Sequence, residues 1–126
     1  MCEYNKDIVI DILNQIKQSI DLIIERASTI KTADGFVNSK EGLEKLDAIC
    51  MRLLTIGESL KQIDKITNKT LLKMYPEIEW DKAKRIRDII AHHYFDIDEE
   101  IVFLICKEKL PEMQKVINKM LNDLKL

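Results

Sequence analysis

Arg87-Asp88-Ile89-Ile90-Ala91-His92-His93-Tyr94-Phe95-Asp96-Ile97-Asp98 is the stretch on which the reading of this chain turns. Just upstream, Ala83, Ile86 and Ile90 recur at steps of three and four, the period of an amphipathic helix. Just downstream, Asp96 and Glu99 have the spacing of a capping box, which predicts a new helix from near Ile97. The stretch therefore reads as the end of one helix and the turn into another. It also holds both histidines of the chain and brings a guanidinium, an imidazole and a phenol close together in sequence. Either it is a reaction site or it is only a helix end.

Outward from it the pattern stays helical in both directions. The helix that carries Arg87 is predicted to start at Trp80, the sole tryptophan, anchored against the core. Lys82, Lys84, Arg85 and Arg87 make its face the densest basic patch in the chain, diluted by Asp81 and Asp88. Thr67 to Tyr75 reads as a short helical turn with Asn68 as its cap, stopped by Pro76. Before it, Leu43, Leu46, Ile49 or Cys50, Leu53, Leu60 and Ile63 form the stripe of a long second helix. Asn38 and Glu41 have the capping-box spacing that would start that helix. Gly57 lies inside the stripe, where glycine costs about 1 kcal/mol against alanine; such a glycine often lets another group approach the backbone. The turn signal Asp34-Gly35 separates this helix from a first one, about residues 4 to 27, with its stripe at Val9, Leu13, Ile16, Ile20 and Ile23. On the downstream side Ile101, Leu104 and Ile105 run on to Leu110-Pro111, where the residue before proline disfavours the helical region. The pattern resumes at Met113, Val116 or Ile117, Met120 and Leu124, so this is one kinked helix or two short ones. Three glycines and two prolines leave little punctuation for a many-turned β fold. The expected fold is all-α: a single domain over residues 1–126, an antiparallel four- to five-helix bundle.

Composition narrows the function. Apolar residues make up 46% and charged residues 33%, a globular balance, and the net charge is −2. Such a chain has no global pull toward nucleic acid, so any RNA contact has to be local. Cys2, Cys50 and Cys106 are odd in number and far apart, which argues against a disulfide framework or a zinc site and for buried thiols in a reducing cytoplasm. The N-terminus lacks the pattern of a signal peptide. The longest apolar run, Ile101 to Cys106, falls far short of the roughly 20 residues that span a bilayer, so no membrane association is expected.

What could the central stretch do? Arg87 and His92 are about 7.5 Å and 140° apart on an ideal helix, so they do not share a stripe. They could converge if the helix ended at His92, or if a second copy of the chain completed the site. Tyr94 would share the face of Arg87 if the helix reached it. Arginine can hold a phosphate and stabilise charge that develops on it; histidine is the usual proton carrier near neutrality. The pair suits phosphodiester cleavage by an adjacent ribose hydroxyl, with no metal and no cofactor. Asp88 could steady either group, or pair with Lys84 one turn back. His92-His93 is a poor chelate, because neighbouring helical positions point about 100° apart. No serine or cysteine lies nearby to act as a nucleophile.

The run Arg87-Asp88-x-x-Ala91-His92-His93-Tyr94-Phe95-x-Ile97-Asp98 resembles the signature of the HEPN superfamily, in its HepT-like branch: an arginine, a polar residue, then His-x-Tyr after three more positions. The likeness extends to Ile56-Gly57-Glu58-Ser59, to Tyr75-Pro76-Glu77-Ile78-Glu79-Trp80 and to Leu110-Pro111, over roughly residues 45 to 120. Asp88 stands where asparagine is commoner, and His93 is an extra histidine beside the motif. The resemblance implies an all-helical homodimer in which two copies of the motif face one another across a cleft. It implies a metal-independent endoribonuclease, the toxin of a toxin–antitoxin pair. The implied antitoxin is a minimal nucleotidyltransferase that silences the toxin by transferring AMP to Tyr94. Carried over, Arg87 would polarise the scissile phosphate, His92 would transfer the proton, and Glu58 and Asp88 would support the cleft. Two rivals stand beside this reading. One is a non-catalytic helical protein that binds a nucleotidyltransferase or a nucleotide. The other is a phosphotransfer bundle using His92 or His93, which the acidic Asp96, Asp98, Glu99 and Glu100 disfavour.

Overall fold

The computed structural model describes residues 4–126, so Cys2 lies outside the described residues. Five helices, α1 (Lys6–Ala27), α2 (Lys40–Ile66), α3 (Trp80–His93), α4 (Glu99–Leu104) and α5 (Leu110–Lys125), account for most of the chain, and there is no strand among the described residues. None of these helices is long and apolar enough to cross a membrane.

Local chemistry sets each boundary. The Asn5 side chain accepts hydrogen bonds from the N–H groups of Asp7 and Ile8 and starts α1. The cap of α2 is Ser39, whose Oγ accepts from the Gly42 N–H at 2.9 Å, rather than Asn38. The Asn38 N–H donates to Asp34 C=O in the preceding turn, and Ser39 is the extended residue at the helix entrance. Asn68 does not cap the turn that follows it. It ends α2, with Asn68 and Lys69 both at positive φ and the Lys69 N–H returning to Asp64 C=O at 2.8 Å, the long bond of a Schellman ending. The helical turn expected after it is a short 3₁₀ turn, Leu72–Met74. Asp96 likewise closes the 3₁₀ turn Tyr94–Asp96, and Asp98 caps α4 by accepting from the Glu100 N–H.

Pro111 does not split the last helix. Between α4 and α5 runs a π turn, Ile105–Lys109, in which the Leu110 N–H donates to Ile105 C=O. Proline has no N–H to give, so the α ladder has to be interrupted near it, and here one wider turn absorbs the interruption. The result is one continuous helical segment, with α4 and α5 as its two parts, rather than two separate short helices.

The α1 stripe Val9, Leu13, Ile16, Ile20 and Ile23 is fully buried against Leu46, Ile49, Leu53, Leu60 and Ile63 of α2 and Met113, Ile117 and Met120 of α5. Leu43 departs from this stripe: it stands in the first turn of α2 and is 44% exposed. Cys50 and Cys106 are buried, and burial pushes their thiols up to about 11 and about 12. α1 and α5 run antiparallel, as Lys107 reaches Ala27 C=O and Gln114 reaches Asp21. The buried Trp80 donates its indole N–H to Tyr75 C=O, and Tyr75 donates to Asp123 of α5, which fixes the start of α3 as expected. From there α3 packs chiefly on α2. It leaves an open cleft of about 400 Å³ toward α4 and α5, lined by Ile86, Ile89, Ile101 and Leu104 among others.

Candidate active site

α2 and α3 approach closely at Gly57. A Cβ built there would lie 2.4 Å from the Arg87 Cβ, so only glycine lets the two backbones approach this far. Glu58, the next residue, forms an ion pair with the Arg87 Nε, and that nitrogen is buried. The contact is an ion pair without hydrogen-bond geometry. Asp88 accepts from Arg87 Nη1 at 3.1 Å and from Lys61 Nζ at 2.9 Å. The four side chains thus alternate in sign where α2 meets α3: Glu58, Arg87, Asp88, Lys61. Hydrogen bonds from Lys61 first, then Arg87, hold the Asp88 carboxyl below its ordinary range, and Asp88 together with Glu58 keeps the Arg87 guanidinium charged. Lys84 is not the partner of Asp88; it pairs with Asp64 of α2 and with Asp81. A partner on the facing helix is within reach because Gly57 draws α3 down onto α2.

His92 lies elsewhere. α3 continues through His93, so the helix does not end at His92 and does not free its direction. Five helical steps put His92 about 140° around from Arg87, on the exposed side of α3. Within one chain the imidazole and the guanidinium do not meet on one face. Tyr94 does turn to the α2 side, where its hydroxyl contacts the Asp47 carboxylate; it is 38% exposed. Asp47 and Glu58 are eleven residues apart on α2, about 16 Å, so Tyr94 and Arg87 mark two ends of one face. Phe95 meets Tyr94 edge-on, ring centroids 5.9 Å apart. His93 is exposed beside them.

Two residues of this face were not among the candidates read from the sequence, Lys61 and Asp47. A signal existed for both. Lys61 is three residues after Glu58 and Asp47 eleven before it, both on the helical stripe of Glu58. Their partners lie on α3, and only the pairing of the two helices reveals them. The cleft lined by Ile86, Ile89, Ile101 and Leu104 is on the other flank of α3, and none of Glu58, Arg87, His92 and Tyr94 lines it.

The arrangement offers a positively charged group held in place by carboxylates, an exposed imidazole, and a phenol with a carboxylate at its oxygen. Comparison with known proteins agrees in class. The family model described as "Ribonuclease HepT-like" matches residues 16–120. The chain is 31% identical over 90% of its length, and 84% of the relative's, to "Putative RNase MJ0127" of Methanocaldococcus jannaschii. It is 29% identical over 87% of its length, and 93% of the relative's, to "Probable ribonuclease HepT" of Thermococcus cleftensis. It is 32% identical over 89% of its length to "Gamma-glutamylcyclotransferase and putative RNase MJ0434" of Methanocaldococcus jannaschii, of which it spans 47%. No solved structure matches the chain. With the family model matching most of its length, the chain belongs to the HepT-like ribonuclease family.

Proposed function

We propose that this chain is a metal-independent endoribonuclease, working in the cytoplasm as the toxin of a toxin–antitoxin pair. The observation that carries the reading is the seating of Arg87: a guanidinium oriented by Glu58 and Asp88 at the surface of the helix that also bears His92. In the proposed reaction the ribose 2′-hydroxyl attacks the adjacent phosphorus and the bond to the 5′-oxygen breaks. Arg87 stabilises the charge on the phosphoryl oxygens, and His92 carries the proton. Because α3 is unbroken between them, the Arg87 of one copy works with groups brought by a second copy, so the enzyme is a homodimer. Exposed Ile89 of α3, with exposed Ile101 and Leu104 of α4 across the cleft, is the apolar face for that second copy. Tyr94 is the acceptor for AMP from a minimal nucleotidyltransferase antitoxin.

Induced expression should arrest growth, and Arg87→Ala or His92→Ala should relieve the arrest and lower RNA cleavage by at least about 100-fold. If both variants stay as toxic as the parent, the assignment is wrong. In sedimentation, Ile89→Glu should convert dimer to monomer and remove cleavage with it. Co-expression with the antitoxin should add AMP mass to the parent and not to Tyr94→Phe.

A second reading is a non-catalytic partner protein that binds the nucleotidyltransferase. One observation favours it: Glu58 and Asp88 already neutralise Arg87, and the chain as a whole is acidic. That reading predicts a tight complex with the nucleotidyltransferase and no cleavage by the purified dimer.

A further inference from the structure

Phe95 is 100% exposed, while the other described phenylalanines, Phe36 and Phe103, are buried or half-buried in the core. A fully solvated phenyl ring is unfavourable unless something covers it in function. Phe95 stands against Tyr94. The ring meets Tyr94 edge-on, Tyr94 is held to Asp47, and the Ile97 N–H closes the turn on Tyr94 C=O at 3.3 Å. It stands three residues beyond His92.

We propose that Phe95 is the platform on which a nucleobase of single-stranded RNA stacks beside the Arg87–His92 site; this rests on the ribonuclease reading. Charge does not supply the affinity on this side, which leaves stacking as the available contact. The net charge is −2, and Asp96, Asp98 and Glu100 are exposed directly after Phe95, so the phosphate backbone is repelled on that side. An acidic protein that binds RNA needs affinity from uncharged contacts, and base–aromatic stacking is the sequence-tolerant form of such a contact. A base paired inside a duplex keeps its faces stacked on its neighbours and cannot use the platform, so the substrate class is unpaired RNA.

The test uses the full chain and a single-stranded 2′-O-methyl RNA oligonucleotide, which binds but cannot be cleaved. Phe95→Ala and Phe95→Leu are each expected to raise Kd about 5- to 100-fold, while Phe95→Trp keeps the parent affinity. Leucine separates stacking from mere apolar burial. The tryptophan of Phe95→Trp should be quenched by RNA, against a constant background from the buried Trp80. Because Phe95 touches no core residue, thermal melting should not change. The proposal is overturned by Phe95→Ala or Phe95→Leu binding as tightly as the parent, or by a duplex of the same sequence binding as tightly as the single strand. A shift of Phe95→Ala from dimer to monomer, with unchanged RNA affinity, would also overturn it and assign the ring to protein contact. If the Phe95 variants behave as expected but His92→Ala cleaves RNA as the parent does, the platform stands and the catalytic reading fails.

Discussion

Two effects oppose one another at Gly57. Alanine would gain about 1 kcal/mol in helix propensity. It would also put a methyl group 2.4 Å from the Arg87 Cβ, which lies close to its own backbone and cannot swing away like the tip of a long side chain. Overpacking of this kind costs about 1–3 kcal/mol, so the clash wins: Gly57→Ala should lower stability in urea denaturation and reduce cleavage by moving Arg87. Asp88 gives a pH signature. Its carboxyl is held below the ordinary 3.8, chiefly by Lys61 and then by Arg87. The stability it contributes is therefore fully present above 3.8 and is lost as pH falls through the lower folded value. Melting curves taken downward from about pH 6 should show the parent losing more stability below about pH 4 than Asp88→Asn does. Arg87 and Asp88 were legible in the sequence as members of a motif, and Glu58 only through the likeness upstream of it. That Gly57 faces Arg87, and that Lys61 and not Lys84 meets Asp88, required knowing how two helices lie together.

Among the elements, the apolar stripes located every long helix, because burial of one face is what keeps each helix in place. The ends were less legible. Asn38 and Ser39 are both good caps, and it is Ser39 that has the extended backbone at the helix entrance, while the Asn38 N–H closes the preceding turn on Asp34 C=O. Ser39→Ala should accordingly cost about 1 kcal/mol in a denaturant melt, and Asn38→Ala no more than about 0.5 kcal/mol. Asp96 lost its capping role to Asp98 for a similar reason, since the 3₁₀ turn after His93 carries the chain two residues further. At Pro111 the sequence showed that the ladder had to be interrupted. It did not show that a π turn starting at Ile105 would keep the helix in one piece.

Across the whole molecule the helices are not equally supported. α1, α2 and α5 bury one another's stripes, whereas α3 rests mainly on α2, with an open cleft along its other flank. The helix inventory was legible from periodicity, but this inequality was not: the Ala83, Ile86 and Ile90 spacing of α3 looks like any other core stripe, and nothing in it says that the expected neighbour stands apart. In terms of local opening, the bundle should behave as two cooperative units. Amide hydrogen exchange should release α3 well before α1, α2 and α5, and a bound partner along the cleft should slow α3 selectively. The helix that bears Arg87 and His92 would then be the part of the protein most easily lifted away while the rest stays folded. A regulator could silence such an enzyme by unseating one helix, without unfolding the molecule and without covering its site.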